Sequence, residues 1–193
     1  MQQDKDIVET VRSTLGTRSL VLVGLMGCGK SSIGRRLATR LGLPFIDADE
    51  EIERVARKSI SEIFADHGEA FFRDREAKVI ARLLSSGPQV LATGGGAFMT
   101  DETRARIRDA GISIWLRAEL PVLMRRVGKR DSRPLLKDTD PEAVMRRLMD
   151  ARYPVYAQAD ITVESRDVPH EAIVSEIVTA LTRHPALAQA PPI

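Results

Sequence analysis

Cysteine, aromatic residues and long apolar runs are all scarce in this chain of 193 residues. Its single cysteine excludes an intramolecular disulfide and agrees with a reducing compartment. No apolar stretch approaches the roughly 20 residues that a membrane span needs. The first residues are polar and acidic, without the apolar core of a secretory signal. We therefore expect a cytoplasmic protein with no membrane partner.

The charge pattern argues against nucleic acid as a partner. The net charge is only +2, and aromatic residues make up 4% of the chain, so the sequence indicates neither a basic surface nor a base-stacking platform. The length suits one domain with a substantial core. We expect an N-terminal extension over 1–18 that is poorly ordered or a short helix, a single domain over 19–184 and a C-terminal tail over 185–193.

A glycine-rich motif near the start of the chain is the most informative stretch. Residues 24–31 read GLMGCGKS, the phosphate-binding loop (P-loop) pattern G-x-x-x-x-G-K-S. Its glycines expose backbone N–H groups to an anion, Lys30 brings a positive charge to the β- and γ-phosphates, and Ser31 offers a hydroxyl to Mg²⁺. An apolar run before the motif and an apolar helical repeat after it (Ile33, Leu37, Leu41) supply the strand and helix that this loop requires.

The motif therefore predicts an ATP site. The residues expected to bind ATP in this loop are Gly27, Cys28, Gly29, Lys30, Ser31 and Ser32. Because Cys28 stands at a helix N-terminus, we expect thiol reagents to inactivate the protein and ATP to protect it.

Short apolar runs alternate with helical patterns along the rest of the chain. This alternation predicts one α/β domain with a parallel sheet covered on both faces. The expected strands are 19–23, 43–47, 89–93, 112–116 and 161–163. Pro154 is expected to end the helix that starts after Asp140 near Arg152.

Two carboxylates follow the second predicted strand, at the edge of the sheet where ligands bind in such folds. Asp47 is expected to hold Mg²⁺ through water, and Asp49 to bind the phosphoryl acceptor and serve as its general base. The alternative for each is a helix cap.

Three glycines and several arginines complete the candidate site. Residues 94–96 (GGG) follow a buried strand and suit the close approach of a small ligand, although a plain turn is the alternative. Arg73 stands three residues before Glu76, which would hold its side chain in one pose. Arg73 and Arg152 suit a substrate carboxylate, and Arg133 lies in a polar segment that could close over phosphates. The alternative is that these arginines are merely solvated.

Together these stretches resemble the shikimate kinases. The matching segments, in the family's order, are GLMGCGKSSIGRRLA, FIDADEEIE, SISEIFADHGEAFFRDRE, GGG, RPLL and RYPVYAQAD. The resemblance spans residues 20–160 and implies a three-layer P-loop NTPase-type fold with strand order 2-3-1-4-5. It also implies ATP-dependent phosphorylation of the shikimate 3-hydroxyl, with Mg²⁺ as cofactor and a monomeric enzyme.

The resemblance also implies a role for each candidate residue. Asp49, Lys30 and Arg133 would be catalytic, and Ser31 and Asp47 would serve Mg²⁺. The implied shikimate-binding residues are Asp49, Arg73, Gly95, Gly96 and Arg152. Arg126 would stack on adenine, and Arg133 would also reach ATP from a lid over 127–140, opposite a substrate-binding region over 48–76. Two alternatives stay open: a gluconate-type kinase on the same fold, and a nucleotide-regulated binding protein.

Overall fold

A five-stranded parallel sheet organises the protein, which is described here by a computed structural model that covers residues 2–128 and 140–188. The strands are β1 (Ser19–Val23), β2 (Phe45–Asp47), β3 (Val90–Ala92), β4 (Gly111–Arg117) and β5 (Ile161–Glu164). They lie in the order β2-β3-β1-β4-β5, and every neighbouring pair is parallel. The predicted α/β class and the strand order 2-3-1-4-5 are confirmed.

Helices connect and cover these strands. They are α1 (Gln2–Leu15), α2 (Lys30–Leu41), α3 (Ala48–Ala56), α4 (Ile60–Leu84), α5 (Asp101–Ala110), α6 (Leu120–Val127), α7 (Pro141–Tyr156), α8 (His170–Thr182) and α9 (Pro185–Ala188). A 3₁₀ turn, Ala97–Met99, follows β3. Among the described residues, none of the helices is both long and apolar enough to span a membrane.

The core lies on both faces of β1, whose five residues are all buried. The predicted apolar stripe of α2 packs there, with Ile33, Leu37 and Leu41 each at most 1% exposed. This packing fixes the helix that carries the P-loop lysine at its first position. The P-loop and its helix are therefore anchored to the most buried strand of the sheet.

The segments outside this framework also contain helices. Val11 and Leu15 of α1 are buried, and α1 contacts both α2 and α8. Near the other end of the described chain, α9 buries Leu187 and contacts α1. The N-terminal extension thus packs against the helix of the P-loop.

Two helices contain residues that commonly interrupt a helix, Gly68 in α4 and Pro154 in α7. Gly68 interrupts α4 with φ 78° and ψ 173°, a conformation that favours glycine, so the helix changes direction there. The expected end of α7 at Arg152 is wrong, because the helix continues through Pro154 to Tyr156. Proline removes only one backbone donor in this last turn, and the hydroxyls of Tyr153 and Tyr156 anchor the turn by donating to the carbonyls of Ala118 and Gly95.

Candidate active site

One cavity of about 610 Å³ lies at the carboxyl ends of the central strands. Twelve residues predicted from the sequence line it: Gly27, Gly29, Lys30, Ser31, Ser32, Asp47, Asp49, Arg73, Gly95, Gly96, Arg126 and Arg152. Of the other predicted site residues, Cys28 is not among the lining residues, and Arg133 lies outside the described part of the chain. Sequence reasoning therefore located most of this cavity.

The P-loop is built to receive an anion at the start of α2. Gly29 caps the helix with φ 97°, a conformation that favours glycine, and the first turn carries no acidic side chain. Lys30 Nζ donates to the carbonyls of Gly24 at 2.7 Å and Leu25 at 3.0 Å, so its charge is held against the loop. The helix dipole and this ammonium group both favour phosphate at the same place in the cavity.

Cys28 faces the protein interior and not the cavity. Its side chain is 1% exposed, and its sulfur lies 3.8 Å from Lys30 Nζ. Its carbonyl accepts a hydrogen bond of 2.7 Å from the hydroxyl of Ser165. The burial argues against the reactivity that we expected from the sequence, since a reagent must first open the loop to reach the sulfur.

Asp47 uses its two carboxylate oxygens for different partners. Oδ2 accepts from the Ser31 hydroxyl at 2.7 Å, and Oδ1 accepts from the Asp49 backbone N–H at 3.1 Å, which caps α3. The metal-site and helix-cap interpretations of Asp47 are therefore compatible. No cluster of three or more histidine, cysteine, aspartate or glutamate ligands occurs in the described ranges. A hydroxyl beside one carboxylate suits Mg²⁺, which protein sites bind through few side chains together with phosphate and water.

Asp49 is a largely buried carboxylate beside another carboxylate. Burial, and secondarily the negative charges of Asp47 and Glu76, raise the pKa of Asp49 to about 6, while Lys30 opposes the shift. A Cβ atom on Gly94 would lie 2.7 Å from both Asp49 Oδ1 and Glu76 Oε1, so both carboxylates press against that glycine. A carboxylate with a pKa near neutrality is suited to accept a proton from a hydroxyl.

The two predicted clamp arginines meet at the glycine loop (residues 94–96). Arg152 Nη1 donates to the Gly95 carbonyl at 2.9 Å. The Arg73 guanidinium lies so close to Gly96 that a Cβ atom there would be 2.5 Å from it. The glycines are therefore needed for the protein's own side chains to approach, which the sequence suggested only for a ligand.

Glu76 fixes the position of Arg73 through an ion pair. Its Oε2 accepts from Arg73 Nη1 at 2.6 Å, as the spacing of the two residues predicts, and the residue is 2% exposed. Burial raises the pKa of Glu76, and Arg73 opposes the increase. We did not predict that Glu76 itself lines the cavity. Its place at helical spacing among the apolar residues of α4 was the available signal.

Arg126 marks the other end of the cavity, beside the P-loop. Its Nη1 donates to Ser165 Oγ at 2.8 Å and to the Gly27 carbonyl at 3.4 Å, and its Nη2 donates to the Arg166 carbonyl at 2.8 Å. His170 lines the same cavity. The cavity thus has an anion-binding loop in its middle, Arg126 at one end and two arginines with Asp49 at the other.

Comparisons with known proteins agree with this arrangement. The family model described as shikimate kinase matches residues 26–182. A shikimate kinase of Rhodopseudomonas palustris is 59% identical over 98% of this chain and 91% of its own length. One from Bradyrhizobium diazoefficiens is 60% identical over 90% of this chain and 84% of its own. A solved structure, the shikimate kinase from Acinetobacter baumannii in complex with shikimate, has a TM-score of 0.85 and 34% identity, and the match covers 91% of this chain and 98% of that one. The chain therefore belongs to the shikimate kinase family.

Proposed function

We propose that this chain transfers the γ-phosphoryl group of ATP to the 3-hydroxyl of shikimate, giving shikimate 3-phosphate and ADP for the biosynthesis of chorismate and aromatic amino acids. One observation carries the proposal: a single cavity contains the P-loop, a carboxylate of raised pKa and two arginines. Membership of the family supports the choice of shikimate as acceptor.

The acceptor end suits a small hydroxylated carboxylate. Arg73 and Arg152 present planar guanidinium groups, which bind carboxylates with two parallel hydrogen bonds. Asp49 would accept hydrogen bonds from the ring hydroxyls and take the proton from the one that attacks. The backbone of Gly95 and Gly96 would bound the ring.

The phosphate end would stabilise the charge that moves during transfer. The P-loop N–H groups and Lys30 would hold the β- and γ-phosphates in line with the acceptor hydroxyl. Ser31 and Asp47 would hold Mg²⁺, which when bound neutralises phosphate charge. Arg133 stays a proposed catalytic and ATP-binding residue from the sequence alone.

The nucleotide would contact further residues of the cavity and the P-loop. Arg126 would contact the adenine. The backbone groups around Cys28 and the hydroxyl of Ser32 would complete the phosphate site.

We also propose that the protein acts in the cytoplasm and as a monomer. The single cysteine supports the cytoplasmic location, because cysteine is kept reduced there.

The test is ADP release from MgATP in a coupled assay, with and without shikimate at millimolar concentration. We expect strong stimulation by shikimate and none by gluconate or nucleoside monophosphates. Stimulation by gluconate would favour a gluconate-type kinase. ATP turnover that no small hydroxy acid changes would favour a nucleotide-regulated binding protein.

A further inference from the structure

Tyr156 is a fully buried tyrosine whose hydroxyl reaches the backbone of Gly95, a residue that lines the acceptor end of the cavity. It lies at the end of α7 and donates to the carbonyl oxygen of Gly95. Arg152, one helical turn earlier on the same face, donates to that oxygen at 2.9 Å. Because a carbonyl oxygen has two lone pairs, these two donors satisfy it completely.

The aromatic ring of Tyr156 is fixed by its neighbours. Its centroid lies 5.9 Å from that of Trp115, 6.3 Å from that of Tyr153 and 6.5 Å from that of Phe98. Rings at these separations pack without freedom to move the hydroxyl far. The hydroxyl is therefore delivered to one point, the Gly95 carbonyl.

The Tyr156 hydroxyl stays protonated over the working range of an enzyme. Burial raises the pKa of Tyr156, and the nearby positive charge of Arg152 only partly opposes the increase. The group is thus a permanent donor and does not compete with Asp49 for the acceptor's proton.

We infer that Tyr156 is a positioning residue for acceptor binding, which holds the Gly95 carbonyl and through it the Arg152 guanidinium. A planar trans peptide joins the Gly95 carbonyl to the Gly96 N–H, so fixing the oxygen also fixes the direction of that N–H. Gly96 in turn contacts Arg73. Through the glycine loop, one buried hydroxyl thereby acts on the position of both arginines, of which Arg73 is also held by Glu76. This inference rests on the proposed function for the identity of the acceptor.

The same helix supplies a matched control. Tyr153 also donates its hydroxyl to a backbone carbonyl, that of Ala118, and packs edge-on against Trp115 at 5.0 Å. Neither Tyr153 nor Ala118 is among the residues that line the cavity. Replacing either tyrosine by phenylalanine removes one hydrogen bond to a backbone carbonyl, and only the Tyr156 bond ends on the glycine loop.

The first experiment compares Tyr156→Phe with Tyr153→Phe in steady-state kinetics. We expect Tyr156→Phe to raise the KM for shikimate about tenfold, the usual effect of losing one buried hydrogen bond, and to leave the KM for MgATP within about twofold. Tyr153→Phe should leave both KM values within about twofold, although the loss of its own bond lowers the Tm. Equal effects of Tyr156→Phe on both substrates, or an equal shikimate effect in Tyr153→Phe, would overturn the inference.

A second experiment needs neither substrate nor activity. Amide hydrogen exchange over residues 94–97 should quicken in Tyr156→Phe and stay unchanged in Tyr153→Phe. Unchanged exchange would refute the positioning role even if shikimate is the substrate. Faster exchange in Tyr156→Phe, together with a wild-type protein that does not phosphorylate shikimate, would instead uphold the positioning role and refute the proposed function.

If Tyr156→Phe does not fold, 4-aminophenylalanine at position 156 provides the comparison. It keeps the ring and an N–H donor of lower strength at the same place. Because a donor to the Gly95 carbonyl is kept, the KM for shikimate should stay within about twofold of the wild-type value. A tenfold rise in that KM, with the donor still in place, would contradict the inference.

Discussion

Arg73 Nη1 lies 2.6 Å from Glu76 Oε2, and the glutamate in this pair is buried whereas the arginine borders the cavity. Arg73 also contacts Glu69, at 3.2 Å, but that carboxylate is exposed. A buried ion pair fixes geometry, since removing one partner leaves an uncompensated buried charge, whereas an exposed pair contributes little. Loss of Glu76 should therefore disturb the position of Arg73 more than loss of Glu69.

This difference predicts the effect of Glu76→Gln. The amide keeps the shape of the side chain but removes the charge that orients Arg73, so we expect the KM for shikimate to rise by about tenfold or more. The KM for MgATP should change less than about twofold, because the phosphate end is separate. The matched control is Glu69→Gln, which should leave both values near wild type. A comparable loss in Glu69→Gln would contradict the assignment of the orienting role to burial.

Asp49→Asn should lower the activity of the protein while raising its stability at pH 8. Without a base, kcat should fall by roughly 10²–10⁴-fold, the contribution typical of general-base catalysis. Because the raised pKa disfavours the charged carboxylate in the folded state, ionised Asp49 destabilises the protein above about pH 6. The variant should therefore have a higher Tm than the wild type at pH 8. That gain should shrink as the pH falls through 6 and vanish below 3.8, the ordinary pKa of aspartate.

The same shift predicts the pH dependence of the wild type. The kcat/KM for shikimate should decline as the pH falls below about 6, when Asp49 takes up a proton.

Asp74→Asn is the control for the Tm comparison of Asp49→Asn with the wild type. Because Lys78 lowers the pKa of Asp74, replacing Asp74 should not raise the Tm at pH 8. If the Tm of Asp49→Asn lies below that of the wild type at pH 8, ionised Asp49 does not destabilise the folded protein.

Asp47→Asn tests the hydroxyl and carboxylate proposed for Mg²⁺. The asparagine oxygen can still accept from the Asp49 N–H, so the cap of α3 is kept while the negative charge is lost. We expect the Mg²⁺ concentration for half-maximal activity to rise about tenfold or more, with the KM for shikimate changed less than about twofold. The measurement is a Mg²⁺ titration at fixed ATP. Equal Mg²⁺ dependence in variant and wild type would remove Asp47 from the metal site.

The features that sequence predicted well are those set by local spacing. The P-loop, the Asp47–Asp49 pair and the contact of Arg73 with Glu76 all involve residues close together in the chain, where backbone periodicity decides which side chains meet. The strand order needed more than periodicity, and it was expected from the family resemblance.

The features that sequence reasoning missed depend on contacts between distant segments. The Tyr156 hydroxyl meets a carbonyl 61 residues away, and the Ser165 hydroxyl meets one 137 residues away. Neither residue has a local pattern that distinguishes it from an ordinary core tyrosine or surface serine. Pro154 was misjudged for the same reason, since the tertiary hydrogen bonds of its neighbours keep the helix intact beyond it.

Arg126 and its neighbour Arg125 allow a test of the nucleotide end. Both arginines pair with Asp167, but Arg126 is largely buried and also bonds to the P-loop and to Ser165, whereas Arg125 is exposed. Arg126→Ala should raise the KM for ATP about tenfold or more, because it removes both the surface for the adenine and a brace of the P-loop. Shikimate binding, measured without nucleotide, should be unchanged. Arg125→Ala removes the same charge from the same helix and should leave both substrates near wild type, so an equal ATP effect in the two variants would reduce the role of Arg126 to bulk charge.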